Sequence, residues 1–525
     1  MKIVIAEKIS PAAIQLLKAE PGWTVITPEQ MDGNLTGALA DADALIVRSA
    51  VDVNAEILRG KSKLRVIGRA GVGVDNIDLE AATKAGIAVM NTPGANAVAV
   101  AEQTLALMLA LARHIPRADS TTRAGKWEKK SLEGTELRGK TLGIIGLGRI
   151  GIEVARRAQA FEMKLIAHDP FVAVAVAREH GIELAELDQV YSAADYLTLH
   201  VGLTAQTTGM INEKSLARMK RGVRIINCAR GELVDEAALA AALKSNHVAG
   251  IALDVFTQEP PRDSELLSLE NVIATPHVAG STKEAQEAVG VQIASQVREY
   301  LKHGVIQNAV NMPSIDDEQY AQMEPYLALA EKLGAFLANT VSGGLQEISI
   351  RYGGRLAGWK TELLRNAAIQ GVLNQRVAER ANVVNAAAIA RERGIHVSES
   401  KEENRASRAE DSITLRLRTA AGERTVRGGI YGNSLRLLGI DNITIEVPLE
   451  GNLIYLRNRD VPGVVGRVGT LLGQHGVNIA HLALGRTGPQ ADAMSVVQVD
   501  MPAPEAVLQA IRELPEIQEV RAVTL

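Results

Sequence analysis

The run Lys140-Thr141-Leu142-Gly143-Ile144-Ile145-Gly146-Leu147-Gly148-Arg149-Ile150-Gly151 admits few folds. It reads as a buried strand, a glycine turn and the start of a helix. Gly146, Gly148 and Gly151 fit G-x-G-x-x-G. The first glycine allows a tight turn, the second lets a pyrophosphate approach the backbone, and the third lets helix and strand pack closely. The helix start offers unpaired N–H groups and the positive end of a dipole to phosphates. A glycine triplet alone is weak, because such turns are common, but here the surroundings agree. Ile150, Val154, Ala158 and Phe161 follow at helical spacing. A second apolar run, Lys164 to Ala167, ends in His168-Asp169-Pro170. Asp169 stands about 20 residues past the glycines, where a ribose-binding acid is expected. Its charge would repel a 2′-phosphate, and no arginine follows it directly, so NAD is favoured over NADP.

A chain of 525 residues exceeds what one core serves, so several domains are expected. The net charge of −4 gives no global attraction to nucleic acid or an anionic membrane. Aromatics at 3% argue against stacking on single strands. Leu105 to Ala112, the most apolar stretch, is too short to span a bilayer. Charges interrupt the N-terminal apolar run, so no signal peptide is expected. Cys228 is the one cysteine, which rules out an intrachain disulfide and suits a reducing cytoplasm.

Residues 1 to about 95 alternate short apolar runs with helical segments. Strands are expected at Ile3 to Ala6, Ala44 to Val47, Leu64 to Ile67 and Ile87 to Val89. Ser10-Pro11 reads as a helix entry and Asp78 as the cap of a short helix that Gly86 ends. The pattern is that of a parallel sheet with helices on its faces. Arg48-Ser49 and Gly68 to Asn76, containing Arg69, follow strands, and ligands of such sheets bind at the carboxyl ends of strands. Two arginines there suit an anionic substrate, although a solvated loop arginine is an equal reading. The helix from Ala97 is apolar nearly all round and should be buried, with a subunit boundary as one way to bury it. From Lys140 to Gly280 six strands are expected, with Asn212 and Asp235 capping intervening helices.

Near the ends of those strands stand Arg230, Glu259 and His277. Hydride removal from a 2-hydroxy acid needs a base for the hydroxyl proton, an acid to hold that base and a cation for the carboxylate. Histidine, glutamate and arginine suit those roles. Spacing alone leaves this open, because three polar residues near strand ends also arise by chance.

Asn227-Cys228-Ala229-Arg230-Gly231, Asp254-Val255-Phe256 through Glu259-Pro260, and Thr275-Pro276-His277 resemble the signatures of the D-2-hydroxyacid dehydrogenase family. Gly68 to Asp78 and Asn91-Thr92-Pro93-Gly94 resemble its phosphoglycerate-oxidising branch. The resemblance implies Arg230, Glu259 and His277 as the catalytic trio. It implies Arg149, Ile150, Asp169, Cys228, Ala229, Asp254 and His277 as NAD contacts beside the glycines, and Arg48, Ser49 and Arg69 near substrate. The implied substrate is D-3-phosphoglycerate, oxidised with NAD to 3-phosphohydroxypyruvate in the first step of L-serine synthesis. Other 2-oxo acid reductases and NAD-sensing corepressors of the same fold are the alternatives. Two details depart from the family pattern. Ala279 and Gly280 are swapped relative to the usual order, and Val72 and Val201 stand where threonine is common.

Beyond residue 312 the chain continues for more than 200 residues. Helices are expected at Glu324 to Asn339 and Lys360 to Val377. Strands follow at Ile413 to Arg418, Thr425 to Ile430, Ser434 to Leu438 and Ile443 to Val447. The charged run Glu399 to Asp411 reads as a solvated loop. From Asn452 the order is β-α-β-β-α-β, and Asp460-Val461-Pro462-Gly463 with Gly476-Val477-Asn478-Ile479 resembles the ACT regulatory domain. That likeness implies an amino-acid effector, L-serine, at Asn458, Asp460 and Asn478. The expected architecture is α/β. It has a flavodoxin-like substrate domain (1–97 and 282–312), a doubly wound parallel-sheet NAD domain (98–281), an α+β intervening domain (313–450) and a ferredoxin-like ACT domain (451–525). The return to the first domain is expected through a helix that Ser281 and Glu284 open as a capping box. No metal is expected, and a homodimer or homotetramer is.

Overall fold

A computed structural model describes residues 1–262, 264–313, 315, 317–378, 380–402, 411–488 and 492–525. Among these residues four sheets form. Strands Lys2–Ile5, Thr24–Ile26, Ala44–Val47, Val66–Arg69 and Ala88–Met90 (β1 to β5) make a parallel sheet in the order β2-β1-β3-β4-β5. This is the flavodoxin-like doubly wound order. Helices cover both faces, which is why its central strands run through residues 3–5, 44–47 and 66–67 without a polar residue. Ser10 caps helix Pro11–Lys18 by accepting from Ala13 N at 3.3 Å. Late in the chain, helix Lys283–His303 returns and packs Val289, Ile293 and Val297 on Ile3, Ile46 and Val66. Its cap is Thr282, whose hydroxyl accepts from Ala285 N at 3.1 Å. Ser281 lies one residue before the cap, and its N–H closes the preceding turn onto Val278 O at 2.8 Å.

The second sheet holds Thr141–Ile145, Lys164–His168, Glu183–Leu184, Tyr196–Leu199, Val223–Asn227, Val248–Leu253 and Val272–Ala274 (β6 to β12). All are parallel, in the order β12-β11-β10-β9-β6-β7-β8. The winding reverses between β6 and β9, and such a switch point leaves a crevice at the strand ends. The seventh strand, β8, is two residues long, and the unexpected β2 is three, both too short to show a period. Helix Ala97–Arg113 buries Val100, Leu105, Met108 and Leu111 against this sheet and the helix Arg149–Ala160. No single helix among the described residues is long and apolar enough to cross a membrane.

The third sheet is mixed. Leu345–Gly353, His396–Lys401, Ser412–Thr419, Gly422–Tyr431, Ser434–Ile440 and Ile443–Pro448 (β13 to β18) lie in the order β14-β13-β15-β16-β17-β18, antiparallel except for β13 with β14. The charged run expected as a solvated loop begins inside β14. Glu399 there accepts from the Tyr352 hydroxyl and the Thr361 hydroxyl, each at 3.0 Å, and from Arg365 at 3.1 Å. A polar cluster thus holds this charge on a strand. Residues 403–410 of the run lie outside the described residues.

The fourth sheet holds Asn452–Arg459, Ile479–Arg486, Asp492–Val499 and Ile517–Thr524 (β19 to β22) in the antiparallel order β20-β21-β19-β22, with helices Val464–Gln474 and Glu505–Arg512 as crossovers. This is the expected ferredoxin-like arrangement. Ile454, Leu456, Val497 and Val520 lie under the helices, while Leu453, Tyr455, Met494, Val496 and Val523 join the core of the third sheet. Phe336 meets Tyr455 edge-on with centroids 6.5 Å apart. Arg424 lies over the Tyr455 ring at 4.9 Å and donates to Glu519 at 3.1 Å.

Helices Asp317–Thr340 and Glu362–Asn374 approach through Gly334 and Gly371. A Cβ on Gly371 would overlap Glu331 O, and one on Gly334 would overlap Ala368 O. Gly371→Ala should gain about 1 kcal/mol of helix propensity and lose about 3 kcal/mol to overpacking against backbone that cannot yield. Calorimetry of the full chain should therefore show an earlier unfolding transition; an unchanged or later one would contradict this packing.

Candidate active site

The glycine turn fulfils its three requirements in coordinates. Gly146 has φ +95°, and a Cβ on it would lie 2.5 Å from His200 O. Around Gly148 a Cβ would find open space within 4 Å, so a phosphate has room. On Gly151 a Cβ would overlap Gly146 O. Gly148 is the N-cap of Arg149–Ala160, whose first-turn amides have no intrahelical acceptors. Arg149 is exposed and donates to Pro93 O across the crevice, while Ile150 is half-buried. Asp169, just past β7, accepts from Leu147 N at 2.8 Å and from Phe171 N at 2.9 Å. Asp169 and the glycine turn are thereby tied together. Beneath the turn, burial pushes His200 down to about 3, so its imidazole is neutral; Thr198 Oγ1 lies 3.0 Å from its Nε2.

Glu259 and His277 meet at the end of the sheet. His277 Nδ1 lies 2.8 Å from Glu259 Oε2, and Glu259 Oε1 accepts from Phe256 N at 3.1 Å. With Nδ1–H donated to the carboxylate, Nε2 carries the free lone pair. His277 has φ +52°, a left-handed conformation that disfavours side chains by about 1 kcal/mol. Asp254 holds it there. His277 N donates to Asp254 O at 2.8 Å, and the Asp254 carboxylate accepts from the Thr275 hydroxyl, Val278 N at 3.0 Å and Ala279 N at 2.9 Å. Asp254 is fully buried, so its side chain builds the His277 turn and does not face the crevice. Cys228 is also buried, and burial pushes its thiol up to about 12, which makes it an inert neighbour. Ala229 is half-buried and donates its N–H to Asn227 Oδ1 at 3.0 Å.

The opposite wall is cationic. Arg48, Ser49, Arg69, Arg230, Glu259 and His277 line one cleft of about 590 Å³ between the first and second sheets. Two glycines make room for two guanidinium groups. A Cβ on Gly71 would overlap Arg69 Nη1, and one on Gly73 would overlap Arg230 Nη2. Arg230 donates Nε to Asp75 Oδ2 at 2.9 Å, which braces it across the cleft. Asp75 has no counterpart among the expected site residues; its motif was visible, but its partner lies 155 residues away. Arg69 is half-buried with no acceptor for Nε, and burial, with Arg230 nearby, pushes it down to about 10. It therefore stays charged at neutral pH and lines the cleft with no acceptor for Nε among the described residues.

The three effector candidates are not brought together in one protomer. Asn458 pairs with Ala493, whereas Asn452 and Ile479 both pair with Val499. Asn478 thus sits at the Asn452 end of the sheet, six strand steps or roughly 20 Å from Asn458. Asn458 is buried and donates to Arg459 O at 2.8 Å. Asp460 accepts from Arg486 at 2.9 Å, and the exposed Asn478 donates to Asp500 at 2.7 Å.

Comparison with known proteins agrees along the whole chain. Family models match residues 105–279 as the NAD binding domain of D-isomer specific 2-hydroxyacid dehydrogenases, 322–441 as the D-3-phosphoglycerate dehydrogenase intervening domain, and 453–516 as an ACT domain. A D-3-phosphoglycerate dehydrogenase of Methanocaldococcus jannaschii is 40% identical over 526 residues, covering 100% of both chains. One of Bacillus subtilis is 37% identical over 525 residues, covering 100% of this chain and 99% of its own. The chain belongs to the D-3-phosphoglycerate dehydrogenase family. Solved structures match its first part. The TT0316 protein of Thermus thermophilus is 34% identical, with TM-score 0.53 over 57% of this chain and 97% of its own. The NAD-dependent formate dehydrogenase of Staphylococcus aureus in complex with NAD is 28% identical, with TM-score 0.54 over 60% of this chain and 100% of its own. NAD is the family's cofactor, and the glycine turn with Asp169 fits it.

Gly73→Ala tests the cationic wall without removing a charge. The obstructed atom is the end of a flexible side chain, so folding should survive while Arg230 loses its pose. A lost bidentate, charge-assisted contact of about 3 kcal/mol is roughly 100-fold in kcat/KM for the acid. NAD affinity by fluorescence titration should stay within twofold. Equal loss of both would show a damaged fold and not a displaced arginine.

Proposed function

We propose that the cleft oxidises D-3-phosphoglycerate to 3-phosphohydroxypyruvate. The observation that carries this is the convergence of Arg48, Arg69 and Arg230 on one cleft, with no acceptor for Arg69 Nε among the described residues. A substrate with both a carboxylate and a phosphate answers that charge; a plain 2-hydroxy acid answers only part of it. Arg230 is placed to take the carboxylate, and Arg48, Ser49 and Arg69 the phosphate. His277 Nε2 takes the hydroxyl proton. Glu259 fixes the tautomer and stabilises the resulting imidazolium. Asp254 aims the ring through the backbone. The glycine turn holds the pyrophosphate, Asp169 the adenosine ribose. NAD, when bound, supplies the hydride acceptor for C2. Steady-state assays should give a kcat/KM for D-3-phosphoglycerate at least 100-fold above that for D-glycerate. Arg48→Ala should erase most of that ratio by raising KM. A ratio near one in the native enzyme would return the chain to the unphosphorylated 2-oxo acid reductases.

The ACT domain is the effector-binding part of the chain, and we propose L-serine as its ligand. Because Asn478 lies at the far end of the sheet from Asn458 and Asp460, a site using all three must draw them from two copies, which also calls for a dimer. Calorimetry should detect L-serine binding at or below millimolar concentration, and Asn478→Ala should weaken it at least tenfold. Absence of heat with the native protein would remove serine as the effector.

A further inference from the structure

The turn that follows β3 is held by groups that no catalytic role accounts for. Glu7, half-buried at the end of β1, accepts three backbone N–H groups from it. Oε1 takes Arg48 N at 2.8 Å and Val51 N at 3.1 Å, and Oε2 takes Ala50 N at 3.1 Å. Asn76 holds the same turn from its carbonyl side, donating Nδ2 to Arg48 O at 3.0 Å and to Val51 O at 2.6 Å. Arg48 Nη1 reaches Lys8 O at 3.4 Å, beside Glu7. Of the four amides in Arg48-Ser49-Ala50-Val51, Ser49 N–H alone has no acceptor among the described residues.

The arrangement is economical in one respect. A carboxylate that accepted all four amides would leave nothing for a ligand. One that accepted none would leave a loop to be ordered whenever an anion arrived, at a loss of affinity. Glu7 takes three and leaves the fourth, on the residue next to Arg48, inside the cleft lined by Arg48 and Ser49. We infer that Glu7 is a positioning residue for the substrate's phosphate, holding the Arg48–Val51 turn in its anion-binding form before substrate enters. The inference rests on the reading above that this turn receives the phosphate. Glu7 touches no reacting atom; it acts through backbone amides. Its carboxylate also lies near enough to Arg69 to favour that guanidinium's charge, so one acid supports both phosphate-side arginines.

Glu7→Gln keeps the shape but turns an amide NH2 toward amide N–H groups. Steady-state kinetics should show KM for D-3-phosphoglycerate raised about tenfold, with kcat and KM for NAD within twofold. kcat/KM for D-glycerate should also stay within twofold, because it has no phosphate to place. Glu7→Asp should fall between Glu7→Gln and the native enzyme. If Arg48→Ala raises KM for D-3-phosphoglycerate and Glu7→Gln does not, the role of Glu7 is overturned and the phosphate reading stands. If neither moves it, the phosphate reading has failed and takes this one with it. Loss of kcat, NAD affinity and thermal stability together in Glu7→Gln would show a merely structural residue. Should the variants not fold, amide exchange in the native protein decides. The Ala50 and Val51 amides should be protected without substrate, and rapid exchange there overturns the proposal.

Discussion

Three guanidinium groups that face one cleft repel each other, and the rest of the site follows from managing that repulsion. Like charges a few ångströms apart near a protein surface interact by several kcal/mol. Asp75 offsets Arg230 through a 2.9 Å bond. Glu7 offsets Arg69 and grips the backbone of the turn that carries Arg48. Gly71 and Gly73 clear the space the side chains need. What remains is a cleft whose three arginines are met by Asp75, Glu232 and Glu259 in the same lining, with no acceptor for Arg69 Nε among the described residues. Opposite these arginines stands a histidine held by a carboxylate. A lysine in that place would add a fourth fixed cation, whereas an imidazole can take up a proton with Glu259 beside it at 2.8 Å.

How the chain gives His277 a fixed pose is a second consequence. His277 sits at φ +52°, and nothing about histidine prefers that. Asp254 determines it by using its own carbonyl and both carboxylate oxygens on four donors of one turn, from Thr275, His277, Val278 and Ala279. A buried carboxylate surrounded by N–H and O–H donors is stable only if all of them stay in place, so the turn is either complete or lost.

Much of this was legible in the sequence, and the limit has a physical shape. The glycine turn, Asp169, and the caps Ser10, Asp78, Asn212 and Asp235 could be read because each is a local rule satisfied within a few residues. Arg230, Glu259 and His277 were legible through their motifs and strand-end positions, although spacing alone could not join them. Glu7, Asp75 and Asn76 gave no such signal as site residues. Glu7 bonds to amides 41 to 44 residues away, and backbone amides carry no sequence identity. Thr282 and not Ser281 is the cap because the helix begins at Lys283, one residue later than the capping pattern placed it. Glu399 looked like the start of a solvated run because its partners, Tyr352 and Thr361, precede it by 47 and 38 residues.

The division of the core bears on regulation. One continuous apolar cluster runs from Ile3 and Ile46 in the first sheet through Val297 and Tyr300 to Leu329 and Phe336, and on to Tyr455 and Val496 in the ACT sheet. The second sheet has cores of its own, around Ile144 and Leu199. Packed cores transmit displacement as rigid bodies, because their side chains interdigitate at crystal-like density. The seam in this molecule therefore lies between the second sheet and everything else, and the cleft lies along that seam. Arg48 and Arg69 stand on the side that shares its core with the ACT domain; the glycine turn, Arg230, Glu259 and His277 stand on the other. Arg230 to Asp75 and Arg149 to Pro93 bridge the two. An effector that shifted the ACT sheet would thus act on where the substrate's phosphate is held relative to the base and the cofactor. It would not need to disturb the hydrogen bonds that set the chemistry of either.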